Sequence, residues 1–136
     1  MAVDDSGYAL TWNGSSWSAP VSIDPNGYLT SVSCPSSSFC MAVDDSGNAL
    51  TWNGSSWSAP VSIDPNRGYL TSVSCPSSSF CVAVDGYGYA LSWNGSSWSA
   101  PLSIDPNGYG HTSVSCPSSS FCVAVDSNGN AVIGRS

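Results

Sequence analysis

The chain has 136 residues, with nine Asp, no Glu, no Lys and two Arg, for a formal net charge of −7. With no basic stripe to displace counterions, it excludes nucleic acid and an anionic membrane surface as partners. It is too apolar for a disordered chain, yet no apolar run approaches the roughly 18 residues of a membrane-spanning helix.

The predicted elements follow from an internal repeat of about 41 residues, starting at Met1. Residues 1–40, 41–81 and 82–122 are successive copies, and 123–136 opens a partial fourth before diverging to VIGRS. The second copy differs from the first by Tyr8 becoming Asn48 and by one inserted residue, Arg67. No leader-like segment opens the chain, because MAVDDSGYALTWNG matches the interior segment from Met41. The expectation is a piece of a longer repeat protein, a designed repeat, or a product that has lost its leader.

Within one unit, strand A spans Leu29–Cys34 (LTSVSC), β-branched and alternating. Strand B, Phe39–Asp44, is nearly all apolar, as expected when both faces are covered. Strand C is Ala49–Trp52 and strand D is Trp57–Ile63. Pro35-Ser36-Ser37-Ser38 is short enough to close an A–B hairpin, and Asp45-Ser46-Gly47-Asn48 reads as the B–C turn. Asn53-Gly54-Ser55-Ser56 is a C–D hairpin signal. Pro60 inside strand D demands an edge position, because proline donates no ladder hydrogen bond. The connector from Asp64 to Gly68 changes length between copies, which places it on the surface.

Four antiparallel strands in such a unit predict an all-β fold, a β-propeller of four-stranded blades in a single repeat domain over 1–136. The phrases SVSCPSSSFCVAVD and GNALTWNGSSW resemble tandem propeller repeats of secreted bacterial proteins. More weakly, the Trp-Asn-Gly-Ser-Ser-Trp hairpin resembles that of fucose-type propeller lectins, whose Arg and Glu site residues this repeat lacks. The resemblance implies a secreted or extracellular protein and, through the lectins, a glycan ligand.

The chain carries three A, four B, four C and three D strands, so its first unit lacks A and its last lacks D. Rings usually need four to eight blades or so. The expectation is therefore a homo-oligomer, dimer or trimer, in which chains share one ring. Strand A near Thr112–Cys116 would then complete the Met1–Ile23 blade of a neighbour. A monomeric four-bladed ring is the alternative.

Three Cys-x5-Cys pairs, Cys34/Cys40, Cys75/Cys81 and Cys116/Cys122, fall across the A–B hairpin. Cysteines set opposite each other predict one disulfide per hairpin and an oxidising compartment. Zinc sites use shorter spacings with His nearby, so no metal or cofactor is expected.

Trp12/Trp17, Trp52/Trp57 and Trp93/Trp98 flank the Asn-Gly-Ser-Ser turns. Exposed, they would stack on sugar rings in a multivalent lectin; otherwise they pack between blades. The acidic turns at Asp44–Asn48 and Asp126–Asn130 lack the spaced carboxylates of a calcium loop. Asp24, Asp64 and Asp105, each before a proline, read as turn initiators. His111, the only His, replaces Leu29 and Leu70 of the earlier copies. No catalytic residues are expected, and the chain is read as not an enzyme but a self-assembling scaffold, with glycan binding as the alternative.

Overall fold

The mostly apolar strand B becomes an interior strand of every sheet but the first, where no strand A precedes it and it lies at the edge. The computed structural model describes residues 1–66, 68–107 and 110–135, so the Arg67 insertion lies outside the described residues. The described residues form four antiparallel sheets, each a blade. Blade 1 contains β1 (Ala2–Val3), β2 (Tyr8–Leu10) and β3 (Val21–Ser22). Blade 2 is β4 (Leu29–Ser36), β5 (Phe39–Asp44), β6 (Asn48–Trp52) and β7 (Val61–Ser62). Blade 3 repeats that order as β8 (Leu70–Ser77), β9 (Phe80–Asp85), β10 (Tyr89–Trp93) and β11 (Leu102–Ser103). Blade 4 ends without a fourth strand: β12 (His111–Ser118), β13 (Phe121–Asp126) and β14 (Ala131–Arg135). The predicted inventory of A to D strands is met blade by blade.

Strand B matches the sequence expectation residue for residue, and β5 is buried from Cys40 to Asp44. Strand A runs two residues past Cys34, leaving Ser37-Ser38 as the tip, with a register shift between Ser33 and Ser36. Strand C gains Asn48. Strand D is shorter than expected. Only Val61–Ser62 pairs regularly with β6, while Trp57 makes a separate bridge to Trp52. Pro60 lies in the interruption, where its missing N–H costs no ladder bond. Between Trp52 and Trp57, Asn53 Oδ1 accepts from the backbone N–H groups of Ser55 and Ser56, each at 2.9 Å. Gly54 takes φ 100°, a value that favours glycine.

The blades pack through their innermost strands. β4 lies against β8 and β8 against β12, while no contact of comparable extent joins the first and last blades among the described residues. The arc is therefore open. Its largest buried cluster joins Met41, Val43 and Leu70 to Ala83 and Leu91, spanning blades 2 and 3. Leu29, Ala42 and Leu50 form a second cluster towards blade 1, and Val84, Val114 and Ala124 a third towards blade 4.

Candidate functional site

The joints between blades carry a polar pattern, and it repeats. The alternating serines of strand A were polar positions in a strand; the structure turns them towards the next blade. Ser31 Oγ accepts from Val73 N at 3.2 Å and Ser33 Oγ from Cys75 N at 2.9 Å. One blade on, Ser72 Oγ accepts from Val114 N at 3.2 Å and Ser74 Oγ from Cys116 N at 2.9 Å. Thr30 Oγ1 donates to Leu70 O and Thr71 Oγ1 to His111 O, both at 2.7 Å. Each inner strand thus offers side chains to the backbone of its successor. On β12 the corresponding Thr112, Ser113 and Ser115 are exposed.

A second layer of each joint is acidic. Asp24, Asp64 and Asp105 are buried, so they are more than surface turn initiators. Asp44, Asp85 and Asp126, which close strand B, are buried as well. Asp44 Oδ1 accepts from Ser46 N and Asn48 N, and its Oδ2 accepts from Asn48 Nδ2. Asp24 meets Asp44 from the preceding blade. Burial, then a hydrogen bond from its protonated form to Asp44, pushes the Asp24 carboxyl up to about 6. Asp126 is held below the usual carboxylate range, chiefly by the backbone N–H of Asn130. The Asp44–Asn48 and Asp126–Asn130 turns therefore spend their Asp oxygens on their own N–H groups. Among the described residues no cluster of three metal-ligating side chains forms.

All three predicted disulfides form: Cys34–Cys40, Cys75–Cys81 and Cys116–Cys122. Each staples an A–B hairpin at the register shift, where two strands of one blade come within about 4.1 to 4.2 Å between Cα atoms.

The six tryptophans divide by position. Within each pair the rings are tilted, with centroids 5.7 to 5.9 Å apart. Trp52, Trp57, Trp93 and Trp98 are half-buried, whereas Trp12 and Trp17 are exposed. Trp57 packs with Ile23 of blade 1 on the Leu29–Ala42–Leu50 cluster, and Trp93 and Trp98 pack on the cluster holding Ile63 of blade 2. The rings thus fill space between blades and leave a cleft beside them. One cleft, of about 610 Å³, lies between Ala9, Thr11 and Val21 on one side and Trp52 and Trp57 on the other. Its counterpart, about 440 Å³, lies between Ala49, Thr51 and Val61 and the Trp93/Trp98 pair. The turn asparagines have their carboxamide oxygens engaged by the hairpin backbone.

Blades of four antiparallel strands, fanned about their innermost strands, define a partial β-propeller. Solved structures that share this fold include two of YCF48. YCF48 bound to a D1 peptide superposes with a TM-score of 0.71 at 14% identity, over 98% of this chain and 42% of that one. YCF48 from Cyanidioschyzon merolae gives 0.72 at 14% identity, over 96% of this chain and 45% of that one. The chain thus spans less than half the length of these two structures. No family model and no curated protein matches the sequence.

Proposed function

We propose that this chain is a non-catalytic, self-assembling propeller scaffold whose ring is completed by copies of itself. The observation that carries this reading is the serine ladder. It runs from β4 to β8 to β12 and then presents Thr112, Ser113 and Ser115 unmatched and exposed. An unclosed fan with a bare blade face and strand edge favours association. Two chains would bring six to eight blades to the ring, and three would bring nine or more. The disulfides suit an oxidising, extracellular setting. Non-catalytic character is supported by the absence of Glu and Lys and by the burial of the sole His, His111. Light scattering on a sizing column tests assembly. A mass of two or three times 14.0 kDa is expected, and a 14.0 kDa species at micromolar concentration would end this reading.

A second reading, glycan binding, draws on the repeated Trp-lined clefts. Identical weak sites around a ring would act by avidity. A glycan array, followed by titration of tryptophan fluorescence, tests it. Silence on the array with the oligomer intact would remove this reading and leave the scaffold.

A further inference from the structure

Three contacts that recur in the two middle blades, two within each blade and one to the blade before it, are missing at the two ends of the arc, and the missing halves match. First, Trp52 Nε1 donates to Ser37 O and Trp93 Nε1 to Ser78 O, both at 3.1 Å, across the hairpin tip of the same blade. Trp12, in the blade without an A strand, meets no such acceptor among the described residues. Ser119 occupies the corresponding tip of blade 4, which has no tryptophan. Second, a Cβ built on Gly54 would lie 3.5 Å from Ser38 Cβ, and one on Gly95 would lie 3.5 Å from Ser79 Cβ. Gly14 has nothing within 4 Å, and the residue left over is Ser120. Third, Ile23 shares its cluster with Trp57 and Ile63 shares its own with Trp93 and Trp98, whereas Ile104 has no tryptophan against it. Instead, Ile104 lines an apolar cleft of about 410 Å³ with Leu102, Phe121 and Ile133, and that cleft also contains Ser119 and Ser120.

From these matches we propose that the cleft between blades 3 and 4 is the socket for the Trp12–Trp17 hairpin of a second copy. This rests on the shared-ring reading and specifies its joint. In the joint, β12 of one copy becomes strand A for β1, β2 and β3 of the other. Trp12 Nε1 donates to Ser119 O, Gly14 abuts Ser120, and Trp17 covers Ile104. Met1-Ala2-Val3-Asp4 of the incoming copy takes the place of Val123-Ala124-Val125-Asp126 and its β2 that of β14, so Ile133 leaves the cleft and strand B is exchanged for a near-identical one. Exchange of identical elements is a low-cost route to association. The Cys116–Cys122 disulfide stays with β12, because Cys122 precedes the exchanged residues. The resident β14 has no D strand after it and no tryptophan to set against Ile104, whereas the incoming blade supplies both.

Two variants, Gly14→Cys and Ser120→Cys, are prepared separately, mixed by unfolding and refolding together, and oxidised. A disulfide needs a Cβ–Cβ separation near 3.5 to 4.5 Å, which blades 2 and 3 show at the equivalent pairs. Neither variant alone can form this bond, so the expected product is a covalent dimer on a non-reducing gel from the mixture only. In parallel, Trp17→Ala is expected to shift the light-scattering mass to the monomer, while Trp57→Ala, at an internal joint, leaves the mass unchanged. A wild-type monomer would overturn the shared ring itself. An intact oligomer with no cross-link and no response to Trp17→Ala would leave the shared ring standing and overturn this socket.

Discussion

Ser33 Oγ accepts the backbone N–H of Cys75 at 2.9 Å, and one blade later Ser74 Oγ accepts that of Cys116 at the same distance. A side chain of one inner strand thus takes the place of a β-ladder partner for the next, which holds neighbouring blades in fixed register. Because Cys75 is buried, its N–H has no water to turn to when the serine is lost. Ser33→Ala is expected to destabilise by about 1–3 kcal/mol, the cost of a buried donor left unpaired. Urea unfolding followed by tryptophan fluorescence measures it, and an unchanged midpoint would refute the assignment.

His111 is buried in β12 and neither ring nitrogen finds a partner among the described residues. Leu29 and Leu70 hold the same place in the other copies. His111→Leu should therefore stabilise by about 1–2 kcal/mol, through removal of unsatisfied polar atoms. Thermal unfolding at neutral pH reports it as a higher Tm.

The Asp24–Asp44 contact makes stability depend on pH. The Asp24 carboxyl is raised from its ordinary 3.8 to about 6, so the folded chain holds that proton more tightly than the unfolded one. Its contribution is complete below about pH 4 and is lost as pH rises through 6. Asp24→Asn keeps a hydrogen-bonding side chain without the ionisation. The variant should lose that segment of the pH dependence, and above pH 7 it should be at least as stable as wild type. Tm measured from pH 4 to pH 8 for both proteins decides the matter; parallel curves would count against the shared proton.

Each disulfide closes a loop of sequence separation six within one hairpin. So short a loop removes little entropy from the unfolded chain, so each bond is expected to contribute only about 2 kcal/mol. The paired substitution Cys75→Ser with Cys81→Ser tests the middle hairpin, whose sulfurs sit at the joint of blades 2 and 3. Denaturant midpoints with and without reductant should show the loss in the wild type and no further response of that hairpin in the variant.

The strand plan was legible because strand B and its turns carry local signals. FCMAVD is apolar enough to be interior, and Asp45–Asn48 contains the Gly that turns back, Gly47 at φ 88°. Strand D was overextended, because WSAPVSI looks β-like while Pro60 and the Trp52–Trp57 bridge confine regular pairing to Val61–Ser62. The joints were not legible. Ser31 and Ser33 look like solvent-facing positions of an alternating strand, and only the neighbouring blade shows what they bind. Asp24 looks like a turn residue, and only packing against Asp44 reveals a buried acid pair. The one available signal was recurrence, since both features fall at the same place in every copy although no single strand pattern requires them. The unequal exposure of the tryptophan pairs lay equally out of reach, because all three hairpins read WNGSSW.

The serine ladder also has a direction. β4 gives hydroxyl groups forward to β8, and β8 receives them from behind while giving its own to β12, so the two flanks of such a strand are chemically unlike. Two copies therefore cannot meet through this ladder as mirror partners about a twofold axis lying in the joint; the leading flank of one fits only the trailing flank of the next. Contacts of this heterologous kind generate closed rings when the rotation per subunit divides a full turn and open filaments when it does not. The angle between adjacent blades, more than the affinity of the joint, thus sets whether the protein ends as a finite particle or a fibre.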